Sequence, residues 1–202
     1  MLPSIFPRIA AILALLTVLS APPAVADDAN SLAGQLLVAA PGMPDPRFAE
    51  TVIFMLRHDS TGAMGIVVNR PVGIMSLKDT LSSTGQDPQG AQGEIIVHTG
   101  GPVGPELGFL LHSTDYKTEG TIQITDRIAV SGRPEVMADV ANGKGPRLLL
   151  LAFGYAGWSA GQLEGEMTHA GWFSVPADEA IIFDDNDTTK WQRASARRGI
   201  DL

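Results

Sequence analysis

The run Arg147 to Phe153 (RLLLLAF) constrains this chain more than any other segment. It is apolar from Leu148 onward and shows no polar face at either the helical or the strand period. A short run of this kind reads as a central strand buried on both faces. A fold that contains it must therefore cover a sheet from two sides.

The rest of the chain supplies that sheet. Gly34 to Ala40 is a short apolar strand stopped by Pro41. Thr51 to His58 and Ala63 to Asn69 flank the turn sequence Asp59-Ser60-Thr61-Gly62 and read as an antiparallel hairpin. Strands are expected at Glu94 to Thr99, Leu107 to His112, Thr121 to Thr125, Arg127 to Val130 and Ala180 to Phe183. Helices are expected at Ser76 to Leu81 behind an N-cap serine, from Pro134 to Asn142-Gly143, from Ser159 to about His169, and from Thr188 to Arg198, where Trp191 docks. The run Gly85 to Gly93 (GQDPQGAQG) reads as a loop, too short to separate domains. Strands outnumber helices and most connections are short. The fold class is α+β, a single domain with a mainly antiparallel sheet.

Composition excludes several functions. The 202 residues contain no cysteine, which removes disulfides, thiolate catalysis and Cys-ligated metal sites. A formal charge of −8 opposes an electrostatic grip on nucleic acid or on an anionic membrane. Ile9 to Leu19 (IAAILALLTVL), followed by Pro22-Pro23 and the small-x-small triplet Ala24-Val25-Ala26, reads as a secretory signal peptide over residues 1–26. The apolar run is about half of the roughly 20 residues that a membrane-spanning helix needs. Residues 27–31 are then a polar stub, and 32–202 the folded domain. Cleavage takes the charge from −8 to −9, because Arg8 is the only charged side chain removed. The expected location is periplasmic or extracellular, and cytoplasmic if the N-terminal segment is misassigned.

Three stretches carry a resemblance. The first is Asp45-Pro46-Arg47-Phe48, running on to Gly65-Ile66-Val67-Val68-Asn69-Arg70-Pro71. The second is Gly100-Gly101-Pro102-Val103, with Gly108-Phe109-Leu110-Leu111-His112-Ser113 behind it. The third is Gly154-Tyr155-Ala156-Gly157-Trp158-Ser159-Ala160-Gly161-Gln162-Leu163-Glu164. In this order they resemble the YqgE/AlgH family over about residues 32 to 185. The resemblance implies an α+β domain whose bifurcated sheet curls into a pseudo-barrel with helices outside. It implies little about activity: members are described as transcriptional regulators on genetic grounds, and no catalytic residues are established. Members are generally cytosolic, so the signal peptide sets this chain apart and opposes a direct role in transcription.

The local motifs favour binding over catalysis. Gly157-Trp158-Ser159-Ala160-Gly161 is formally G-x-S-x-G, the pattern of a serine hydrolase elbow. Ser159 with Gln162 also matches a capping box, and His169 is the only histidine downstream, on the same segment. On this reading Ser159 caps a helix, and Ser159→Ala loses about 1 kcal/mol of stability. The four histidines, His58, His98, His112 and His169, show no metal-ligand spacing and read as structural. Gly100 to Pro105 lacks the Lys-Ser/Thr of a P-loop and reads as a rigid turn. Arg193, Arg197 and Arg198 read as a solvated cluster on the last helix. No catalytic residue, cofactor or metal is expected. The candidate surface for a protein partner or small ligand comprises Asn69, Arg70, Gly100, Gly101, Pro102, His112, Tyr155, Trp158 and Glu164.

Overall fold

The computed structural model describes residues 30–169 and 171–199, so the signal-peptide expectation lies outside the described residues. Among the described residues, ten strands form one forked sheet, and five α-helices flank it.

The first wing contains β1 (Gln35–Ala39), β2 (Val52–Asp59), β3 (Gly62–Val67) and β10 (Trp172–Pro176), in the order β10-β1-β2-β3. β1 shows why both faces need cover. Leu36 and Val38 enter one core cluster while Leu37 and Ala39 enter another, the period-2 outcome for a strand that is apolar on both sides. The second wing contains β4 (Pro71–Ser76), β5 (Glu94–Thr99), β6 (Val103–Ser113), β7 (Ile122–Gln123) and β8 (Ile128–Ser131).

The two wings meet on β9 (Leu149–Ser159), the strand that begins in the apolar run. One edge of β9 pairs antiparallel with β6. The other edge is shared: β5 runs parallel to Leu151–Phe153, and β3 runs antiparallel to Ala156–Ser159. The sheet forks where β5 leaves and β3 arrives. Gly100 sits at that point, donating its N–H to Phe153 O (2.6 Å) and accepting from Val67 N (2.8 Å).

The curled sheet has an inside and an outside. Inside, Val52, Phe54, Ile66, Leu111 and Leu150 pack against Ile181 and Ile182 of α4 (Glu179–Ile182) and Ala194 of α5 (Asp187–Ser195). Outside, α3 (Gln162–Thr168) covers the first wing through Leu163. α1 (Leu77–Ser83) and α2 (Glu135–Ala141) cover the second wing through Leu77, Leu81, Val136 and Met137. Ser76 caps α1 as expected, its hydroxyl accepting from Asp79 N. Trp191 docks α5 by donating Nε1–H to Ala39 O at 2.8 Å.

Four local expectations are corrected. Ala180 to Phe183 is helical, not a strand: Asp178 caps α4 by accepting from Ala180 N, and Ile181 and Ile182 are both buried, which successive strand residues on a one-sided edge could not achieve. β4 and β10 were not expected. β9 continues to Ser159 through Gly154 and Gly157, which read as breakers locally: Gly154 faces the crowded Gly101 backbone at the fork, and Gly157 lies against the Tyr155 ring. The helix expected from Ser159 starts at Gln162.

A buried ion cluster ties α5 to the sheet. Lys190 is fully buried and donates to Asp187 Oδ1 (2.8 Å), Val68 O (2.8 Å) and Ile182 O (2.9 Å). His98 Nε2 lies 3.2 Å from both oxygens of Asp187. Burial pushes the Lys190 ammonium below its ordinary pKa, and the Asp187 carboxylate opposes that push. The three arginines expected as a solvated cluster on the last helix are engaged instead: Arg193 pairs with Asp184 at 2.7 Å, and beyond the end of α5 Arg197 pairs with Asp178 and Arg198 lies over the Phe173 ring at 4.7 Å.

Tyr116 gives a titration that checks the second wing. Burial first, and then the hydrogen bond to Asp139 (2.7 Å), push its phenol up to about 12. Because the neutral phenol is the favoured form, its contribution to stability is intact below the ordinary value of 10.0 and is lost as pH rises toward about 12. In Tyr155→Phe, where Tyr116 is the only tyrosine left, absorbance at high pH should show ionisation near 12. A midpoint near the ordinary value would mean that this packing is absent.

Candidate functional site

The three motifs meet on the outside of the first wing. Asp45-Pro46-Arg47-Phe48 forms a single 3-10 turn (Pro46–Phe48) between β1 and β2, capped by Asp45, which accepts from Arg47 N at 3.0 Å. The Arg47 guanidinium also grips both oxygens of Asp45, at 2.6 to 3.1 Å, and holds that carboxyl below its ordinary range. Arg47 lies over the Phe48 ring at 5.9 Å. Phe48 stacks edge-on to Trp172 (5.5 Å), and Trp172 to Trp158 (6.0 Å).

This aromatic row forms the wall of a groove of about 380 Å³, completed by Met43, Pro102, Gln162 and His169. An adjoining hollow of about 340 Å³ is lined by Thr51, Arg70, Thr99 and Gly101. The two share Arg47, Phe48 and Pro102, so together they make one continuous surface. Residues from all three motifs line it.

Glu166 fixes the groove's shape. One carboxylate oxygen accepts from both Trp158 Nε1 and Trp172 Nε1, each at 2.9 Å; the other accepts from Gln162 Nε2 at 2.9 Å. Two indoles that would otherwise need buried partners are thus satisfied by one helix residue. The groove wall is preorganised by α3.

The expected surface residues divide by what they touch. Pro102, Trp158, Arg70 and Gly101 line the combined groove. Asn69 and Arg70 also clamp the chain before β2: Asn69 accepts from Val52 N and donates to Glu50 O, while Arg70 donates to Ala49 O and Thr51 Oγ1. Gly100 is buried at the fork and His112 is fully buried, its ring nitrogens at Ser113 O and Ser131 Oγ, so neither offers a surface. Tyr155 points to the inside of the curl, against Phe109. Glu164 is exposed on α3 and binds His58 Nε2 at 3.0 Å; its own backbone N–H, and then His58, hold its carboxyl below the ordinary value. Met43, Arg47, Phe48, Gln162, Glu166, His169 and Trp172 belong to the groove but were not among the expected surface residues; Gln162 was read as half of a capping box and His169 as structural. Arg47 and Phe48 stood in the first motif. Trp172 and Glu166 had no local signal, because β10 and α3 bring them there.

Ser159 does not cap α3. That position is Gly161, with a left-handed φ of 74°, and no side-chain cap bond forms. Only the return half of the expected box exists, Gln162 Oε1 accepting from Ser159 N at 3.1 Å. Ser159 closes β9 against Gly62 instead of standing on a strand-to-helix elbow. Ser159→Ala should therefore shift stability by less than about 0.5 kcal/mol, as at an ordinary exposed position. Gln162→Ala, which loses two hydrogen bonds, should cost about 1–2 kcal/mol. Thermal unfolding of both variants checks the ranking, and equal losses would restore the serine cap. Among the described residues no group of three or more His, Asp or Glu side chains is placed to hold a metal ion, and no helix is long and apolar enough to cross a membrane.

The forked half-barrel with helices on both sides, and a preorganised groove where its three motifs meet, define a distinct class of α+β domain. Residues 36–202 match the AlgH-like family model, and the chain belongs to that family. A UPF0301 protein of Rhodospirillum rubrum is 43% identical, covering 84% of this chain and 88% of that protein. Another, from Sphingopyxis alaskensis, is 44% identical over 83% of this chain and 89% of its own length. The solution structure of AlgH from Pseudomonas aeruginosa superposes with a TM-score of 0.72 at 38% identity, covering 86% of this chain and 92% of that one. A crystal structure of a Corynebacterium diphtheriae protein shares the fold, with a TM-score of 0.65 at 20% identity over 83% and 87% of the two chains.

Proposed function

We propose that this protein is an exported, non-catalytic binding domain whose recognition surface is the three-motif groove. One observation carries the reading: segments far apart in the sequence contribute Arg47, Phe48, Arg70, Pro102 and Trp158 to one continuous concavity. A groove with aromatic walls, a few placed polar groups and a wall locked by Glu166 has the features of a preformed site for a partner or a small ligand. The apolar N-terminal run and the Ala24-Val25-Ala26 triplet support export.

The test is affinity capture from a periplasmic extract with wild type, Arg47→Glu and Arg133→Glu. Arg47 is exposed in the groove, with 72% of its side chain accessible, whereas Arg133 lies on the α2 side and bridges Glu119 and Glu135. A partner or ligand retained by wild type and Arg133→Glu but not by Arg47→Glu supports the groove. Equal retention by all three overturns it. Export has its own readout: the intact mass of the exported protein should correspond to a chain starting at Asp27. At a charge of −9 after cleavage, no duplex DNA should be retained with sub-micromolar affinity at physiological salt. Such retention would favour the regulatory role associated with the family.

A further inference from the structure

The inside of the curl is only partly filled. Ile181, Ile182 and Ala194 of α4 and α5 plug it at one end. The apolar surface continues past them and opens into a cleft of about 660 Å³ on the face opposite the three-motif groove. That volume lies within the roughly 300–1,000 Å³ of small-molecule sites. Its walls are Met64, Phe109, Ile122 and Tyr155, all packed against the inner core, with Leu56 and Val130 at the base. One side is raised by β6, where the register slips between Val103 and Gly108 and loops out Gly104 to Leu107.

The polar groups of this cleft gather at one end. Ser159 pairs with Gly62 at the tip of the β2–β3 hairpin, Thr61 is the neighbouring residue, and Arg57 donates to Thr61 Oγ1 at 2.6 Å. Arg57 Nη1 also donates to Asp59 at 2.8 Å, and among the described residues no bond is formed by its Nε or Nη2. Thr61 accepts from Arg57 and donates to Asp59. Among the described residues, the side-chain donors lining the cleft that have no bond are the rest of the Arg57 guanidinium, the Ser159 hydroxyl and the Tyr155 phenol. The Thr61 hydroxyl, then its backbone N–H and Arg57, hold the Asp59 carboxyl down at about 2, so the hairpin tip keeps its charges at neutral pH.

We propose that the open end of the half-barrel binds a single-chain amphiphile with a carboxylate head. The chain lies against Met64, Phe109, Ile122 and Tyr155, and the head meets Arg57 and Ser159. The apolar walls select the chain; the guanidinium edge, shared with Asp59, selects an anionic and planar head. The cleft shares Gly157 and Trp158 of β9 with the three-motif groove, so its test reads residues that line only one of the two.

Dodecanoate, kept below its micellar concentration, is titrated into the folded protein by calorimetry and by amide NMR. One-to-one binding is expected, with shifts at Met64, Phe109, Ile122 and Tyr155 and none at Arg47 or Trp172. Octanoate should bind at least about tenfold more weakly, because four methylenes lose their apolar cover. Arg57→Gln, a change at a half-exposed side chain that leaves the core intact, should weaken dodecanoate about tenfold or more, and dodecyltrimethylammonium should not bind. Three results would each overturn the proposal: no binding of dodecanoate, equal binding by Arg57→Gln, or shifts confined to the three-motif groove.

Discussion

Replacing Gly101 by alanine is expected to cost on the order of 4 kcal/mol, at the severe end for a single substitution, and to lower Tm by roughly 10 °C. Gly101 has a φ of 149°, and a Cβ there would overlap the Tyr155 carbonyl and the Ala156 nitrogen. These are backbone atoms of β9, so relief requires moving the Gly100-Gly101 corner away from β9. Gly154 faces the same junction from the other side, where its Cβ would meet Gly101 O. Gly161→Ala separates the two causes. Its φ of 74° is also left-handed, but nothing lies within 4 Å of the added methyl, so about 1–2 kcal/mol is expected. Chemical denaturation of the two variants checks the order. If Gly101→Ala loses no more than Gly161→Ala, close approach at the fork does not limit stability. The glycines of the second and third motifs then owe their place to conformation alone.

Lys190→Met should cost about 3–5 kcal/mol. It removes a cation that is fully buried and leaves Asp187 without its nearest partner, along with the Val68 and Ile182 carbonyls that Lys190 joins. Those carbonyls belong to the residue after β3 and to α4, so the loss loosens the plug inside the curl and should appear first as faster hydrogen exchange in α4 and α5. Asp187→Asn combined with Lys190→Met should recover part of the loss, because the uncompensated charge goes while His98 retains a polar neighbour. A double variant less stable than the sum of the singles would show that the cluster does not act as an ion pair.

Much of this architecture is written locally. The hairpin of β2 and β3 follows from two β-branched runs around Asp59 to Gly62, and α1 from Ser76 and the Leu77/Leu81 pair. The run through Leu151 announces a strand covered on both faces, and β9 is that strand. Where local reading failed, neighbours distant in sequence overrode it. Ala180 to Phe183 has β-like composition, but the chain has left the sheet at Pro176, and one helical turn buries both isoleucines. Gly154 and Gly157 look like breaks, yet a strand passes through them because its neighbours are supplied from afar: β6 and the Gly101 corner lie against Gly154, and β3 pairs with Gly157.

The candidate site divides in the same way. Arg70, Gly101, Pro102 and Trp158 were legible as motif residues, and they do line the groove. Trp172 and Glu166 were not, since the first reaches it by pairing with β1 and the second by α3 folding back on β9. His98, Asp187 and Lys190 carry no shared spacing either, and only the docking of α5 assembles them. By itself the sequence determined the fold class, the order of most elements and the family, because periodicity, caps and turn residues act over a few positions. The tertiary structure alone decided the fork, the buried ion cluster, and the two concavities on opposite faces of the sheet. Each of these depends on strand pairing and packing between segments far apart in the chain, which no local pattern records.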